Sequence, residues 1–181
     1  GARLVPYAAL HFSESTLNRY ANARGDEART AYLKSVFGFF QALIESHLPV
    51  TIVTDDDLAD VGRLRRHPVL ILPNSVCLSS RQADCLAAYV RAGGGLVAAF
   101  ETGVCDETGT RLGVPALAGL LGVRQEDAVG GVSWLLDTAN RPHPIVDVPQ
   151  IADAGDPSQG AWDPKPHIPL LLAQQVRPAR A

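Results

Sequence analysis

Four short apolar runs, bounded by polar or turn-forming residues, divide the first hundred residues of the chain. They cover residues 4–12, 50–53, 69–72 and 96–100. Runs of this length predict buried β-strands, although Pro6 disfavours the early half of the first one. The run at 69–72 is continuously apolar, which is typical of a central parallel strand covered on both faces.

The segment between the first two runs has the spacing of an amphipathic helix. Apolar residues and one histidine recur at helical intervals, namely at Tyr32, Val36, Phe39, Phe40, Leu43, Ile44 and His47. Pro49 stops this helix, and the polar stretch 18–29 before it is predicted to be a loop or an irregular helical lead-in. After the second run, Thr-Asp-Asp-Asp at 54–57 leads into a short helical segment that ends at Leu64.

A second full helix is marked by local signals at both ends. Ser79 with Gln82 three residues later forms a capping box. The three glycines at 93–95 supply the left-handed backbone that ends the helix. Strand and helix therefore alternate along the first hundred residues, which predicts βα units on a parallel sheet.

After Gly103 the pattern of apolar and polar positions becomes less regular. Residues 114–121 are a short helix candidate ended by Gly122, and residues 132–136 are a strand candidate. From residue 140 the chain is rich in Pro, Gly and Asp, so we expect mostly extended, irregular structure there. We therefore predict an α/β core at 1–125 and an extension at 126–181 packed on the same domain.

The amino-acid composition limits the classes of protein to which this chain can belong. The 181 residues are 46% apolar and 19% charged with a net charge of −3, which is the balance of one globular domain. Neither a nucleic-acid nor a membrane partner is predicted, because basic runs and apolar spans of about 20 residues are missing. Three cysteines without ligand spacing predict no disulfide, metal or cofactor. The chain opens on Gly1 and lacks Met, which indicates a piece of a longer protein.

Several motifs along residues 65–125 carry a family resemblance. They are His-Pro-Val-Leu-Ile-Leu-Pro-Asn at 67–74, the helix after Ser79, Tyr-Val-Arg-Ala-Gly-Gly-Gly-Leu-Val at 89–97, Glu-Thr-Gly at 101–103 and Leu-Ala-Gly-Leu-Leu-Gly-Val at 117–123. Together they resemble the trimerisation domain of family 42 β-galactosidases. The resemblance implies the class I glutamine amidotransferase-like fold, a flavodoxin-like three-layer sandwich with a mostly parallel sheet. It also implies a non-catalytic domain that forms a homo-oligomer beside a glycosidase-type domain of the same chain.

The amidotransferase resemblance places Glu101 where active relatives carry their nucleophilic cysteine. Those enzymes have a small-x-Cys-x-Gly turn after a strand, and here the same register reads Ala-Phe-Glu-Thr-Gly at 99–103. A carboxylate cannot replace a thiolate in attacking an amide, and Thr102 stands where a His partner is usual. Cys105 is not expected to substitute, because the acids that follow it would raise the pKa of its thiol.

Acidic residues follow three of the predicted strands. Glu14, Asp55 and Glu101 should face the carboxyl edge of the sheet, with Thr102 beside them, where open α/β sheets bind ligands. These four residues are the ligand-binding candidates, for a sugar hydroxyl or a cation. The favoured interpretation is structural: Glu101 accepts backbone N–H bonds at a following helix start, and Asp55 caps the segment after it. A third hypothesis makes Glu101 a general base paired with Glu14.

The five histidines are interpreted as satisfied or solvated rather than functional. None has a partner at ligand spacing, and none is expected to sit beside a candidate nucleophile. The residues and the resemblance therefore leave three classes of function: a structural and oligomerisation domain of a glycoside hydrolase-related protein, a carbohydrate or small-ligand binding module, and a hydrolase. The first is preferred.

Overall fold

A computed structural model describes residues 6–130 and 172–178 of the chain. Four strands form one sheet: β1 (Ala8–His11), β2 (Val50–Val53), β3 (Val69–Pro73) and β4 (Gly95–Ala99). Their order is β2-β1-β3-β4 and all three pairings are parallel. The parallel α/β sheet predicted from the alternating pattern is therefore confirmed, with each strand within two residues of the predicted run apart from the proline-containing start of β1.

Helices cover both faces of this sheet, which gives three layers. One face carries α1 (Asp26–Glu45), and the opposite face carries α2 (Asp55–Leu58), α3 (Val61–Leu64) and α4 (Ser80–Arg91). Successive side chains of a strand point to opposite faces. In β1, Ala9 therefore joins the core under α4, whereas Ala8 and Leu10 join the core under α1.

The structure corrects the predicted core face of α1. Tyr32, Val36 and Leu43 are buried as expected. Phe40 and Ile44, which the sequence pattern included in the same stripe, are 39% and 50% exposed. The irregular lead-in is confirmed as a π-helical turn at Thr16–Ala21 and a 3-10 turn at Asn22–Arg24, and α1 then begins at Asp26, within the stretch predicted to be irregular.

Both ends of α4 form as the local signals predict. Ser79 and Gln82 make the reciprocal capping box, with Ser79 N–H donating to Gln82 Oε1 at 2.8 Å. After the helix, Gly93 has φ +94°, and a Cβ on Gly94 would lie 2.2 Å from the Tyr89 ring. Glycine at 94 therefore lets the chain pass across Tyr89, whose hydroxyl donates to the carbonyl oxygens of His67 and Gly95.

The strand predicted at 96–100 is present as β4, but the prediction that it is buried is wrong. Within the described residues β4 is an edge strand of the four-stranded sheet, and Val97 is 43% exposed. β4 ends at Ala99, and Phe100 then takes a positive φ of 51°, which is uncommon for a bulky residue. The chain thus turns sharply at the carboxyl edge, as the predicted Ala-Phe-Glu-Thr-Gly turn requires.

The last described elements follow this turn. α5 (Ala118–Leu121) begins four residues later than predicted and ends at Gly122, whose φ is +63°. β5 (Val123–Gly130) and β6 (Leu172–Pro178) form a separate antiparallel pair. The strand candidate at 132–136 lies outside the described residues. The division at 125/126 remains a prediction, and β5 runs across that position.

Candidate functional site

Three polar side chains from different strand ends meet at the carboxyl edge of the sheet. His11 ends β1, Asp55 follows β2 and Ser75 follows β3. The Nδ1 atom of His11 lies 2.8 Å from Ser75 Oγ, and its Nε2 atom lies 3.1 Å from Asp55 Oδ1. His11 and Ser75 are completely buried, whereas the Asp55 side chain keeps 18% of its surface exposed. We refer to these three residues as the His11 network.

The directions of the hydrogen bonds in the His11 network follow from the ionisation of Asp55. Burial opposes ionisation of this carboxyl, but hydrogen bonds from His11 and from the backbone N–H of Ser15 outweigh it and lower its pKa. Asp55 is therefore a carboxylate, and Nε2–H of His11 donates to it. In the neutral imidazole Nδ1 then accepts from the Ser75 hydroxyl. Every polar atom of the histidine ring is thus used inside the protein.

A serine, a histidine and an aspartate in one hydrogen-bonded chain also occur in hydrolases. In this protein, however, the serine is not accessible to a substrate. A nucleophilic serine must reach a substrate carbonyl and needs an oxyanion site beside it. Ser75 is completely buried, so no substrate atom can approach its hydroxyl. The network instead links the ends of β1 and β3 to the start of α2. That arrangement is structural, and it explains why a histidine is tolerated in the core.

The structure modifies the sequence-based interpretation at two of these positions. His11 is a satisfied histidine, as predicted, but it does lie beside a hydroxyl and a carboxylate, which residue spacing did not reveal. The expectation that Asp55 caps the following segment is wrong. Asp55 Oδ2 accepts from Ser15 N–H at 2.8 Å, and α2 is capped by Thr54 with Asp57 in a capping box. Ser75 was missed, and its position just after β3 was the available signal.

Glu101 lies in the turn after β4, and its carboxylate already has partners. The Tyr20 hydroxyl donates to Glu101 Oε2, and Arg111 Nη1 lies 4.0 Å from Oε1. The Glu101 side chain is only 13% exposed. Burial and the hydrogen bond to Glu101 raise the pKa of Tyr20, while the Arg24 guanidinium stacks 3.8 Å from the centre of its ring. We refer to Tyr20, Arg24, Glu101 and Arg111 as the Glu101 network.

The predicted backbone contacts of Glu101 are wrong. Its carboxylate binds a phenol from the helical lead-in rather than N–H groups at a helix start, and its own N–H donates to Asn74 Oδ1 at 3.3 Å. Residues 101–104 continue as a turn, with Val104 N–H donating to the Glu101 carbonyl. A helix N-terminus, which lowers the pKa of a nucleophile in this position, does not follow directly in this described stretch.

The remaining ligand-binding candidates occupy different surroundings. Thr102 is buried, and its hydroxyl lies 2.7 Å from the Ala99 carbonyl oxygen and accepts from Ser75 N–H at 3.1 Å. Its hydroxyl is therefore used to join the ends of β3 and β4. Glu14 is exposed to solvent. Among the described residues no group of three or more His, Cys, Asp and Glu side chains could hold a metal ion.

Cys105 lies beneath the Glu101 network as a buried free thiol. It pairs with Cys77 through an isolated parallel bridge, so the fold brings together two cysteines that are 28 positions apart in sequence. Burial is the main cause that raises the pKa of Cys105, and Glu101 and Asp106 raise it further against the opposing effects of Arg24 and Arg111. Burial likewise raises the pKa of Cys77 to about 12. Thiols of this kind are poor nucleophiles.

The fold and the occupied turn define a class of protein: a three-layer α/β domain with a parallel sheet, whose turn after β4 holds a carboxylate with internal partners. A family model described as the β-galactosidase trimerisation domain matches residues 7–129. This match spans more than half of the chain, and the chain therefore belongs to the β-galactosidase trimerisation domain family. It is thus an oligomerisation domain by family, and the resemblance drawn from residues 65–125 is confirmed.

Solved structures with the same fold are β-galactosidases. That of Bifidobacterium adolescentis is 24% identical with a TM-score of 0.56, over 68% of this chain and 56% of that chain. The enzyme of Bacillus circulans sp. alkalophilus is 20% identical with a TM-score of 0.59, over 70% of this chain and 18% of that chain. The enzyme of Halorubrum lacusprofundi is 18% identical with a TM-score of 0.60, over 72% of this chain and 19% of that chain.

The aligned chain therefore spans less than a fifth of the length of most of these enzymes. At this level of identity the likeness establishes the fold. None of the curated proteins compared with the chain matches it. Among the described residues no helix combines the length and the apolar character needed to cross a bilayer.

Proposed function

We propose that this chain holds copies of a β-galactosidase-like glycoside hydrolase together, as a homo-oligomerisation domain joined to a glycosidase-type domain. The observation that carries the proposal is the family match over residues 7–129, which runs from the residue before β1 into β5. The solved structures named above are β-galactosidases, which supports the glycosidase part. The chain covers less than a fifth of most of those enzymes, which supports a domain that works beside a larger one.

The geometry of the carboxyl edge supports a structural role over a catalytic one. Glu101 stands where the family resemblance predicts the nucleophile, and the Tyr20 hydroxyl donates a hydrogen bond to its carboxylate. Ser75, whose hydroxyl is hydrogen-bonded to the His11 ring, is buried. Both groups are thus engaged by contacts within the protein, which favours a function carried by the outer faces of the described helices and edge strands.

Mass measurement tests the proposal directly. Light scattering and native mass spectrometry of the chain should show an assembly whose mass is a multiple of 19.2 kDa, with three copies expected from the family description. A strict monomer at every concentration tested would count against the proposal. The reading frame that encodes the chain should also encode a glycosidase-type domain, and a frame that lacks one would contradict the second part of the proposal.

A small-ligand module at the acidic edge is a second candidate, because Asp55 and Glu101 keep 18% and 13% of their side chains exposed there. Titration calorimetry with galactosides and divalent cations checks this candidate, with Glu101→Gln as the matched variant. Heat that disappears in the variant would support a ligand site, and an absence of heat would end the candidate. The hydrolase hypothesis for Glu101 and Glu14 requires that any activity found is lost in the same variant.

A further inference from the structure

Helix α1 carries two apolar stripes with the same spacing. The inner stripe faces the sheet and consists of Tyr32, Val36, Phe39 and Leu43. One residue after each of these positions stands another apolar residue, at Leu33, Phe37, Phe40 and Ile44. A shift of one residue rotates a side chain by about 100° around a helix. The second set therefore runs parallel to the inner stripe and turns away from the sheet.

Most of this second set is exposed. Leu33 still packs against the core, but Phe37, Phe40 and Ile44 expose 61%, 39% and 50% of their surface. These three residues form the outer stripe. Among the residues whose burial is described, the other exposed large apolar residues stand singly elsewhere, such as Ile52 on β2 and Val114 in the loop before α5. Single exposed apolar residues are ordinary, whereas a continuous row marks a contact surface.

The outer stripe is also free of charge. Residues 35–44 contain no Asp, Glu, Lys or Arg, and the flanking charges, Lys34 and Glu45, stand at the two ends of this segment. The water-facing side of a surface helix is normally polar. Depletion of charge together with exposed phenylalanines is instead the composition of the buried centre of a protein–protein interface. The partner that fits is therefore an apolar protein surface rather than a charged ligand.

We propose that the outer stripe of α1 packs against the α1 helix of a second copy of this chain. The intervals of four, three and four residues from Leu33 to Ile44 match the seam along which helices pack lengthwise. In a closed trimer, three such helices meet around the symmetry axis and each contacts both neighbours. The inference rests on the proposed oligomerisation function and names the surface that performs it.

The test introduces charge into the stripe. Phe37→Glu/Phe40→Glu buries two carboxylates in the contact, so we expect at least a tenfold weaker self-association and a monomer mass where the unchanged chain is oligomeric. Val114→Glu is the matched control. Val114 is 71% exposed and lies outside α1, so this variant introduces a carboxylate at an exposed apolar position away from the stripe. Circular dichroism reports whether each variant is folded, and Phe37→Ser/Phe40→Ser replaces the charged variant if it is not.

Cross-linking gives a second and independent readout. Ile44→Cys places a small thiol at the carboxyl end of the stripe, where copies related by the axis bring equivalent residues together. Oxidation should produce covalent dimers within the oligomer. Arg91→Cys is the control, because Arg91 is exposed on α4, on the opposite face of the sheet, and should give none.

The outcomes separate the inference from the function beneath it. If the unchanged chain is monomeric, the proposed function itself fails. If it is oligomeric but the Phe37/Phe40 variants keep the same mass and Ile44→Cys gives no dimer, the surface is wrong and the function survives. The stripe would then be covered by another domain of the same polypeptide, which overturns the contact with a second copy.

Discussion

The two polar networks at the carboxyl edge share one sheet and differ in their access to water. The His11 network is enclosed, and each ring nitrogen of its histidine is bound within the protein. The Glu101 network lies nearer the surface, with Arg111 mostly exposed and Tyr20 partly so. Enclosure makes a lost partner costly, because water cannot replace it. The first network should therefore stabilise the fold far more than the second.

The largest effect is expected from removing the histidine. His11→Ala leaves the Ser75 hydroxyl and part of Asp55 without their partner and opens a cavity between β1 and β3, so the free energy of unfolding should fall by about 2–4 kcal/mol. Urea unfolding measures this loss. Glu14→Ala serves as the control, since this exposed side chain should change stability by no more than about 0.5 kcal/mol. Equal effects of the two variants would contradict an enclosed network.

The stability of the protein at low pH should depend on the Asp55 carboxylate of the His11 network. The folded protein lowers the pKa of Asp55 from its ordinary 3.8. A lowered folded-state pKa contributes stability that is present above the unfolded pKa and is lost as pH falls through the folded one. Unfolding between pH 6 and pH 2 should therefore show a smaller loss of stability for Asp55→Asn than for the unchanged chain. Parallel curves would refute this role of Asp55.

A smaller effect is expected when the phenol of the Glu101 network is removed. Tyr20→Phe deletes the hydroxyl that binds Glu101 and keeps the ring under Arg24, so the loss should be about 1 kcal/mol. Chemical denaturation of this variant measures it. The double variant with Glu101→Gln should lose less than the sum of the two single variants, because the two groups share one hydrogen bond. Strict additivity would show that the contact contributes nothing.

The smallest effect belongs to Arg111. Its guanidinium lies 4.0 Å from Glu101 and is 59% exposed, which is the geometry of a weak surface ion pair. Arg111→Ala should change the free energy of unfolding by less than about 0.5 kcal/mol. A loss as large as that of His11→Ala would mean that the Glu101 network is as enclosed as the first, and the contrast between the two would disappear.

Local signals were enough to predict some elements. The continuous apolar run at 69–72 predicts β3 because only a strand covered on both faces lacks polar positions. The capping box of Ser79 and Gln82 predicts the start of α4 because its hydrogen bonds span only three residues. The α1 pattern was harder to interpret, since two adjacent stripes look like one wide stripe when only periodicity is considered.

The sequence by itself determined the alternation of strands and helices and the turn after β4, with Glu101 rather than a cysteine in that turn. These features depend on residues close together in the chain. Tertiary structure alone decided which side chains share a hydrogen bond across 64 residues, as His11 and Ser75 do, or across 81, as Tyr20 and Glu101 do. It also decided which stripe of α1 faces the sheet, because burial depends on how the packed elements meet and not on the spacing within one helix.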